Sequence, residues 1–553
     1  MAPIILKCFL LFLPAFLACI LQANGDENLA SVVLGSDGQT LVLKPGYDSS
    51  QPMVAWGKFD DKINYTGWAF LEIHSNASLS DTMQAKAAGM TEGSLTAELM
   101  HKSYQNTLAS FCNADPQFCE KLGKFLDDNL KWISEQIASN PTDKYWYQIN
   151  LILQQFEGIK EGYLLNKGVP SIDDLGFLLI QADGDLFALE QALGKKKVHH
   201  VFGSGSCSAL IKLLPGNKDL YISQVTWTSY AQLLRVFKLY DFPFTVNGNK
   251  GEIIPGRRTS FSSYPGLMTS GDDFYLLSSG MVSQETTIGN SNPELWKYVY
   301  AEGIVLEWMR TLVANRLART AAEWTYFFGT HNSGTYNNQW MVLDYKLFTP
   351  GGPIIPGTLL ILEQLPGIVE LADMSVFLQE KTYWASYNIP YFPYIYNMSG
   401  ARESYEKYGS WFSYDGAPRA QMFKRDHSKA VDIDSMMKLM RYNDYKHDPL
   451  ARCNCTPPYS GENAISSRSD LNPADGKYPI EALGHRQHGG IDAKVTNSKM
   501  VKTLQCMAVS GPTHDQQPVF KWSTSGWKRP MGHPDAWDFE PITVTWDVNL
   551  SDD

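Results

Sequence analysis

After its first residues the 553-residue chain has no uninterrupted run of about 18 apolar residues, the length that a membrane-spanning helix needs. No transmembrane anchor is therefore expected beyond that start. It also lacks long runs of one charge: the net charge is −11 with the acids dispersed, which argues against a nucleic-acid partner or an anionic membrane held by electrostatics. The one dense basic cluster, Lys195, Lys196 and Lys197 followed by His199 and His200, reads as a solvated loop open to trimming proteases. There is no Gly/Ser-rich or Pro-rich linker, no low-complexity tract and no repeat of solenoid length, so one large body is expected rather than a string of domains. A Gly-x-Ser-x-Gly elbow, a His-Glu-x-x-His helix and a phosphate loop ending in Gly-Lys-Ser/Thr are all missing, and no metal or cofactor is predicted.

What is present begins with a start that suits a secretory signal peptide. Lys7 precedes an apolar stretch from Phe9 to Leu21, and the small residues Ala23 and Gly25 mark a cut near Gly25. Cys8 and Cys19 would leave with that segment. Of the six remaining cysteines, Cys112 and Cys119 would close a small loop by a disulfide, as expected in an oxidising compartment. Cys453 and Cys455 would form a tight ring, with Cys506 either an alternative partner or a buried thiol. Five Asn-x-Ser/Thr acceptors, at Asn64, Asn76, Asn397, Asn454 and Asn549, predict a glycoprotein, with Asn454 hindered between two cysteines.

The mature chain opens on paired strands: SVVLG and TLVLKPG flank a Ser-Asp-Gly turn, and MVAWGKF and GWAFLEIHS follow. Apolar residues recur at three- and four-residue steps from about Glu98 to Leu193 and predict helices. CSALIKLLP and DLYISQVTW read as a strand pair, SYAQLLRVFKLYDF as a helix, and Pro293 to about Phe328 as a long helical stretch. Further strands are expected at TSFSSYPG, DFYLLSSGMVSQETT, QWMVLDYKLF and GTLLILEQ. From Lys381 onward few periods stand out, and ordered aromatic-rich loops are expected. Strands interrupted by amphipathic helices make the chain α+β or α/β.

Cys207 asks for an explanation. A lone cysteine after a loop is ordinarily a buried structural thiol; this one starts a strand and follows Gly-Ser-Gly-Ser. Gly203 and Gly205 open backbone conformations in which the Ser206 carbonyl can be twisted against the thiol. Attack there would give a thioester, and water would then free Cys207 with an α-amine. That amine, with a reference pKa of about 7.7–8.0, can serve as the base for a thiol nucleophile.

The strings GSGSCSALIKLLPG, FSSYPG, NSGTYNNQWMVLDY, WFSYDGAPRAQMFKRD, MRYNDYKHDPL, GENAISSRSDLNPADG and HGGIDAKVT resemble the phospholipase B-like family, and the resemblance runs through most of the chain. It implies a four-layer αββα N-terminal-nucleophile hydrolase sandwich with additional helices and long loops. It also implies a precursor cut between Ser206 and Cys207, so that residues 26–206 and 207–553 stay together in one body in the lysosome lumen or outside the cell. The implied substrate is a lipid, the reaction removal of fatty acyl chains from phospholipids, and a second copy of the chain is a candidate partner.

An oxyanion needs fixed donors, and Asn332 or Asn337 is the candidate, with turn formation the alternative role. Thr226 and Trp227, on the strand paired with that of Cys207, are expected to line the pocket. Arg419 would hold an anionic head group or make a structural ion pair. Where the family resemblance implies His-Asn before Thr-Trp, this chain has Gln224 and Val225, placing Gln224 in the pocket without a proton relay. Two other functions stay open: an amidase acting on N-acyl lipids, and a lipid- or glycan-binding protein with little turnover.

Overall fold

The Ser-Asp-Gly turn forms as its chemistry dictates. Asp37 accepts from the backbone N–H groups of Gln39 and Thr40 at 2.9 and 2.8 Å, and Gly38 takes a φ of 68°. Strand Glu27–Leu34 thereby folds back antiparallel on Leu41–Pro45. The computed structural model describes residues 27–47, 51–196, 201, 204–249 and 251–546. The expected signal peptide, residues 197–200, Gly203 and Asn549 lie outside them.

Two sheets dominate. The larger has eleven strands, running edge to edge through Ile368–Asp373, Leu359–Leu365, Asn338–Asp344, Met281–Thr287, Phe274–Leu277, Arg258–Ser263, Arg235–Asp241, Trp68–Ser75, Met53–Lys62, Glu27–Leu34 and Leu41–Pro45. Every neighbour in it is antiparallel except Trp68–Ser75 beside Arg235–Asp241, which run parallel. The smaller sheet orders Tyr383–Ser386, Cys207–Leu213, Leu220–Ser229, Asp492–Asn497, Cys506–Ser510 and Ile542–Val544, with His488–Gly490 added on Leu220–Ser229.

Three buried clusters give the layering. Trp68, Phe237, Leu276 and Met341 of the large sheet meet Ala209, Ile211, Ile222 and Ala508 of the small one. The other face of the large sheet, with Leu71, Val236 and Trp340, packs on helical residues such as Ile152, Phe156, Met309 and Trp324. The outer face of the small sheet, with Leu210, Val225 and Ala493, is covered by Phe423, Met436 and Met440. The result is helix, sheet, sheet, helix: an α+β sandwich. No helix among the described residues is long and apolar enough to cross a membrane.

Helix Asp81–Leu95 was not expected, because its small residues leave no apolar stripe to detect. It packs instead by close backbone approach to helix Lys144–Leu164: a Cβ on Gly89 would overlap the Gln155 carbonyl oxygen, one on Gly93 that of Ile159, one on Gly158 that of Lys86 and one on Gly162 that of Met90. Overpacking of this kind typically costs about 1–3 kcal/mol. Gly89→Ala is therefore expected to lower the unfolding free energy by an amount in that range, measured by chemical denaturation; an unchanged free energy would contradict the close packing.

Other expectations need correction. SYAQLLRVFKLYDF is not a helix: after a short 3-10 turn at Tyr230–Gln232, Arg235–Asp241 is a strand buried along its whole length. A strand covered on both faces loses the alternation that distinguishes it from a helix. The long helical stretch from Pro293 divides into a 3-10 turn, Pro293–Tyr298, and helices Glu307–Leu317 and Ala321–Gly329. Lys195 is not solvated either. It is buried, 2.6 Å from Glu190, with its ammonium 3.6 Å from the Phe111 ring centroid. Past Lys381 the chain supplies five strands of the small sheet and the pair Phe520–Lys521 with Ala536–Trp537, as well as loops. Cys112–Cys119 and Cys453–Cys455 are disulfides, and Cys506 is a buried free thiol.

Candidate functional site around Cys207

Cys207 is the first residue of its strand and pairs in register with Thr226. Strand alternation puts its side chain in line with Ala209, Ile211 and Leu213, which pack between the two sheets. The thiol is free and 3% exposed. Burial, then the neighbouring Glu285, push the thiol well above its usual range. Sγ lies 4.0 Å from Glu285 Oε1.

The three residues before Cys207 are held one by one. Ser204 Oγ accepts from Arg486 Nη1 at 2.9 Å and lies 3.3 Å from His488 Nε2. The Gly205 N–H donates to Glu462 Oε1 at 3.2 Å, and the Ser206 N–H to Asn388 Oδ1 at 3.2 Å. The Ser206 carbonyl, the one next to the thiol, accepts the backbone N–H of Trp227. Gly205 is required by space, since a Cβ there would lie 2.7 Å from the Trp227 ring and 2.9 Å from Arg419.

Arg419 ties the far side. It sits over the Trp227 ring at 4.2 Å, donates to the Cys207 carbonyl at 2.6 Å and the Ser208 hydroxyl at 3.2 Å, and reaches Asn388 Oδ1 at 2.7 Å. Burial opposes the charge of Glu462, but Arg486, His488 and the hydroxyls of Ser469 and Ser467 together hold its carboxyl below the usual value.

A cavity of about 410 Å³ opens over these groups. Ser206, Cys207, Thr226, Trp227, Asn337 and Arg419 line it, so five side chains singled out by sequence, together with the residue before Cys207, meet in one place. Asn388 and Tyr336, which also line it, have φ of 67° and 46°, left-handed values that cluster where a site constrains the backbone.

Two expected members are elsewhere. Asn332 does not line the cavity; its Oδ1 accepts the Gly334 N–H at 3.0 Å, the turn-forming role, and its amide donates to the carbonyls of Leu365 and Ile368 at 2.9 and 3.2 Å. Gln224 is fully buried, and its amide donates to the carbonyls of Asp272 and Glu285 at 2.6 and 2.8 Å. It fastens the two sheets together and does not reach the cavity.

Beneath Thr226 lies a charge network that sequence reading missed. Asp492 Oδ1 accepts the Thr226 N–H at 2.9 Å, and Lys494 Nζ donates to the Thr226 hydroxyl at 2.7 Å and to Asp492 Oδ2 at 2.7 Å. Burial is the largest influence on Lys494 and draws it down to about 8 against the attraction of Asp492. Charges at i and i+2 in the apolar run IDAKV are the signal that could have revealed the pair, because they share one strand face. Glu285, Asn388, Glu462 and Arg486 carry no such local mark. Among the described residues no group of three or more His, Cys, Asp or Glu side chains is arranged to hold a metal ion.

Asn64, Asn397 and Asn454 are exposed, the last contrary to the hindrance expected between its cysteines. Asn76 is half-buried, with its amide donating to the Met53 carbonyl at 3.0 Å.

The sequence profile of the family described as Phospholipase B matches residues 55–544. The chain is 52% identical to "Putative phospholipase B-like 2" of Bos taurus, over 89% of this chain and 86% of that one. It is 50% identical to the Homo sapiens protein of the same name, over 95% and 91%, and 37% identical to "Phospholipase B-like protein B" of Dictyostelium discoideum, over 90% and 86%. With a family profile spanning nearly all of the described fold and 37% to 52% identity to these relatives along most of their length, the chain belongs to the phospholipase B-like family.

Proposed function

We propose that this protein is a self-processing cysteine hydrolase of the N-terminal-nucleophile kind that removes acyl chains from phospholipids. The observation that carries this reading is the position of the Cys207 thiol: first in its strand, on the wall of the cavity, next to a Ser206 carbonyl pinned by the Trp227 N–H. Cutting there would free the Cys207 amine and empty the groups that hold Ser204 to Ser206. The two pieces would stay joined, because four strands of the large sheet precede the cut and seven follow it, meeting at the parallel pairing from Trp68 with Arg235 to His74 with Asp241.

In turnover the Cys207 thiolate attacks the substrate carbonyl and the α-amine carries the proton to the leaving group. Asn337, on the cavity wall, is the side-chain candidate to join the Trp227 N–H at the oxyanion. The Arg419 guanidinium is the group for an anionic head. An amidase reading is favoured by one observation, that the bond this geometry presents first is itself an amide. Secretion or delivery to the lysosome, with glycans at exposed Asn64, Asn397 and Asn454, completes the proposal.

Incubating processed protein with a panel of phospholipids and N-acyl amides, beside Cys207→Ala, separates the readings. Release of fatty acid from phospholipid by the native protein alone supports the acyl hydrolase, and release from N-acyl amides the amidase. Equal background in both proteins would leave a lipid- or glycan-binding protein.

A further inference from the structure

The α-amine that serves turnover cannot serve the first cut. Until the Ser206–Cys207 bond breaks, that nitrogen is an amide, with its lone pair delocalised into the carbonyl, and it cannot accept the thiol proton. Self-cleavage needs another proton carrier, and the carboxyl beside the thiol is Glu285, with Oε1 4.0 Å from Sγ. Resting on the reading of Cys207 as the self-cleaving nucleophile, we propose that Glu285 is the proton carrier for the cut and is dispensable as a base afterwards.

The surroundings of Glu285 suit a group that takes up and returns a proton. It is fully buried, with the Tyr336 hydroxyl 3.3 Å from Oε1 and the Thr287 hydroxyl 3.5 Å from Oε2. The same Tyr336 hydroxyl lies 2.8 Å from the Gly271 carbonyl. One hydroxyl hydrogen cannot serve both acceptors. When it points to Gly271, the Tyr336 oxygen is open to a hydrogen bond from a protonated Glu285. Burial and then Glu307 push the Glu285 carboxyl well up from its ordinary value, while the Tyr336 and Thr287 hydroxyls and then Lys494 oppose them, so this carboxyl takes up a proton more readily than an exposed one. Asp273 adds a further nearby acid, itself pushed up by burial and by Glu285.

The step balances. Glu285 Oε1 takes the Sγ proton as sulfur bonds to the Ser206 carbonyl carbon, and the developing oxyanion receives the Trp227 N–H that already points at it. The C–N bond then breaks, Glu285 returns the proton to the departing nitrogen, and a thioester with a free Cys207 amine results. Water hydrolyses the thioester to the Ser206 carboxylate and the thiol.

The test follows the time course of cutting in full-length protein by intact mass, beside Cys207→Ala. Removing one general acid–base group slows a reaction by about 10²- to 10⁴-fold. Glu285→Gln, close in shape, is expected to fold, to melt within a few degrees of the parent and to cut slower by that factor. Glu285→Asp withdraws the carboxyl by one methylene and is expected to cut at an intermediate rate. Should the Gln variant fail to fold, the Asp variant decides: a rate equal to the parent's overturns the proposal. Cutting of Glu285→Gln at the parent rate, with Cys207→Ala intact, overturns it as well while leaving self-processing standing. A parent chain that never cuts itself overturns both readings.

Discussion

Cys207→Ala is expected to remain one chain and to lose turnover entirely, whereas the parent yields a larger fragment beginning CSALIKLLPG. The size of the effect follows from intramolecularity: well-placed groups reach effective molarities of about 10⁵–10⁸ M, so a thiol held beside the Ser206 carbonyl needs no outside protease. In the structure that carbonyl is engaged by the Trp227 N–H, the Ser206 N–H by Asn388, and Gly205 by Glu462. These bonds hold the Ser206–Cys207 linkage in one conformation. Alanine keeps all of them and removes only the nucleophile. Cys207→Ser keeps a weaker nucleophile and is expected to cut slowly. N-terminal sequencing of the fragments checks the site, and a cut before residue 207 in the alanine variant would assign the cleavage to another enzyme.

Arg235→Met is expected to destabilise the protein by about 3–5 kcal/mol, the usual cost of leaving buried carboxylates without a partner. Arg235 is fully buried, pairs with Asp272, and reaches Asp492 Oδ2 at 2.9 Å. Lys494 sits 2.7 Å from Asp492 and 3.4 Å from Asp272, so two cations face two anions, all four side chains fully buried. With Arg235 gone, one ammonium must balance both carboxylates. The damage reaches the site, because Asp492 and Lys494 together hold Thr226 opposite Cys207. Arg235→Lys keeps the charge without the two-pronged geometry and is expected to fall between. Urea unfolding midpoints measure the series. A methionine variant as stable as the parent would show that the network contributes nothing.

The N-terminal strands and the Cys207 hairpin were legible because short-range signals agree there: a turn supplied by Asp37 and Gly38, and apolar runs of strand length on either side. Arg235–Asp241 was not legible, since burial on both faces erased its alternation, and the Asp81–Leu95 helix was missed because its contact surface is glycine and alanine. Lys195 read as solvent-facing because charge alone gives no sign of the Glu190 carboxylate and Phe111 ring that enclose it.

By itself the sequence determined the family, the mixing of strands with helices and the nucleophile candidate, because each rests on a contiguous string: the motifs, the runs of strand and helix, and Gly-Ser-Gly-Ser-Cys. Tertiary structure alone decided what surrounds that cysteine. Glu285, Asn388, Glu462 and Asp492 come from segments far apart in the chain and converge only when the two sheets stack. It also separated Asn337, on the cavity wall, from Asn332 a few residues away, and moved Gln224 from the pocket into the seam between the sheets. The physical reason is one of range. Turn and strand preferences are set by neighbours in the chain, whereas a side chain's burial, partners and proton affinity are set by whatever the folded chain brings against it.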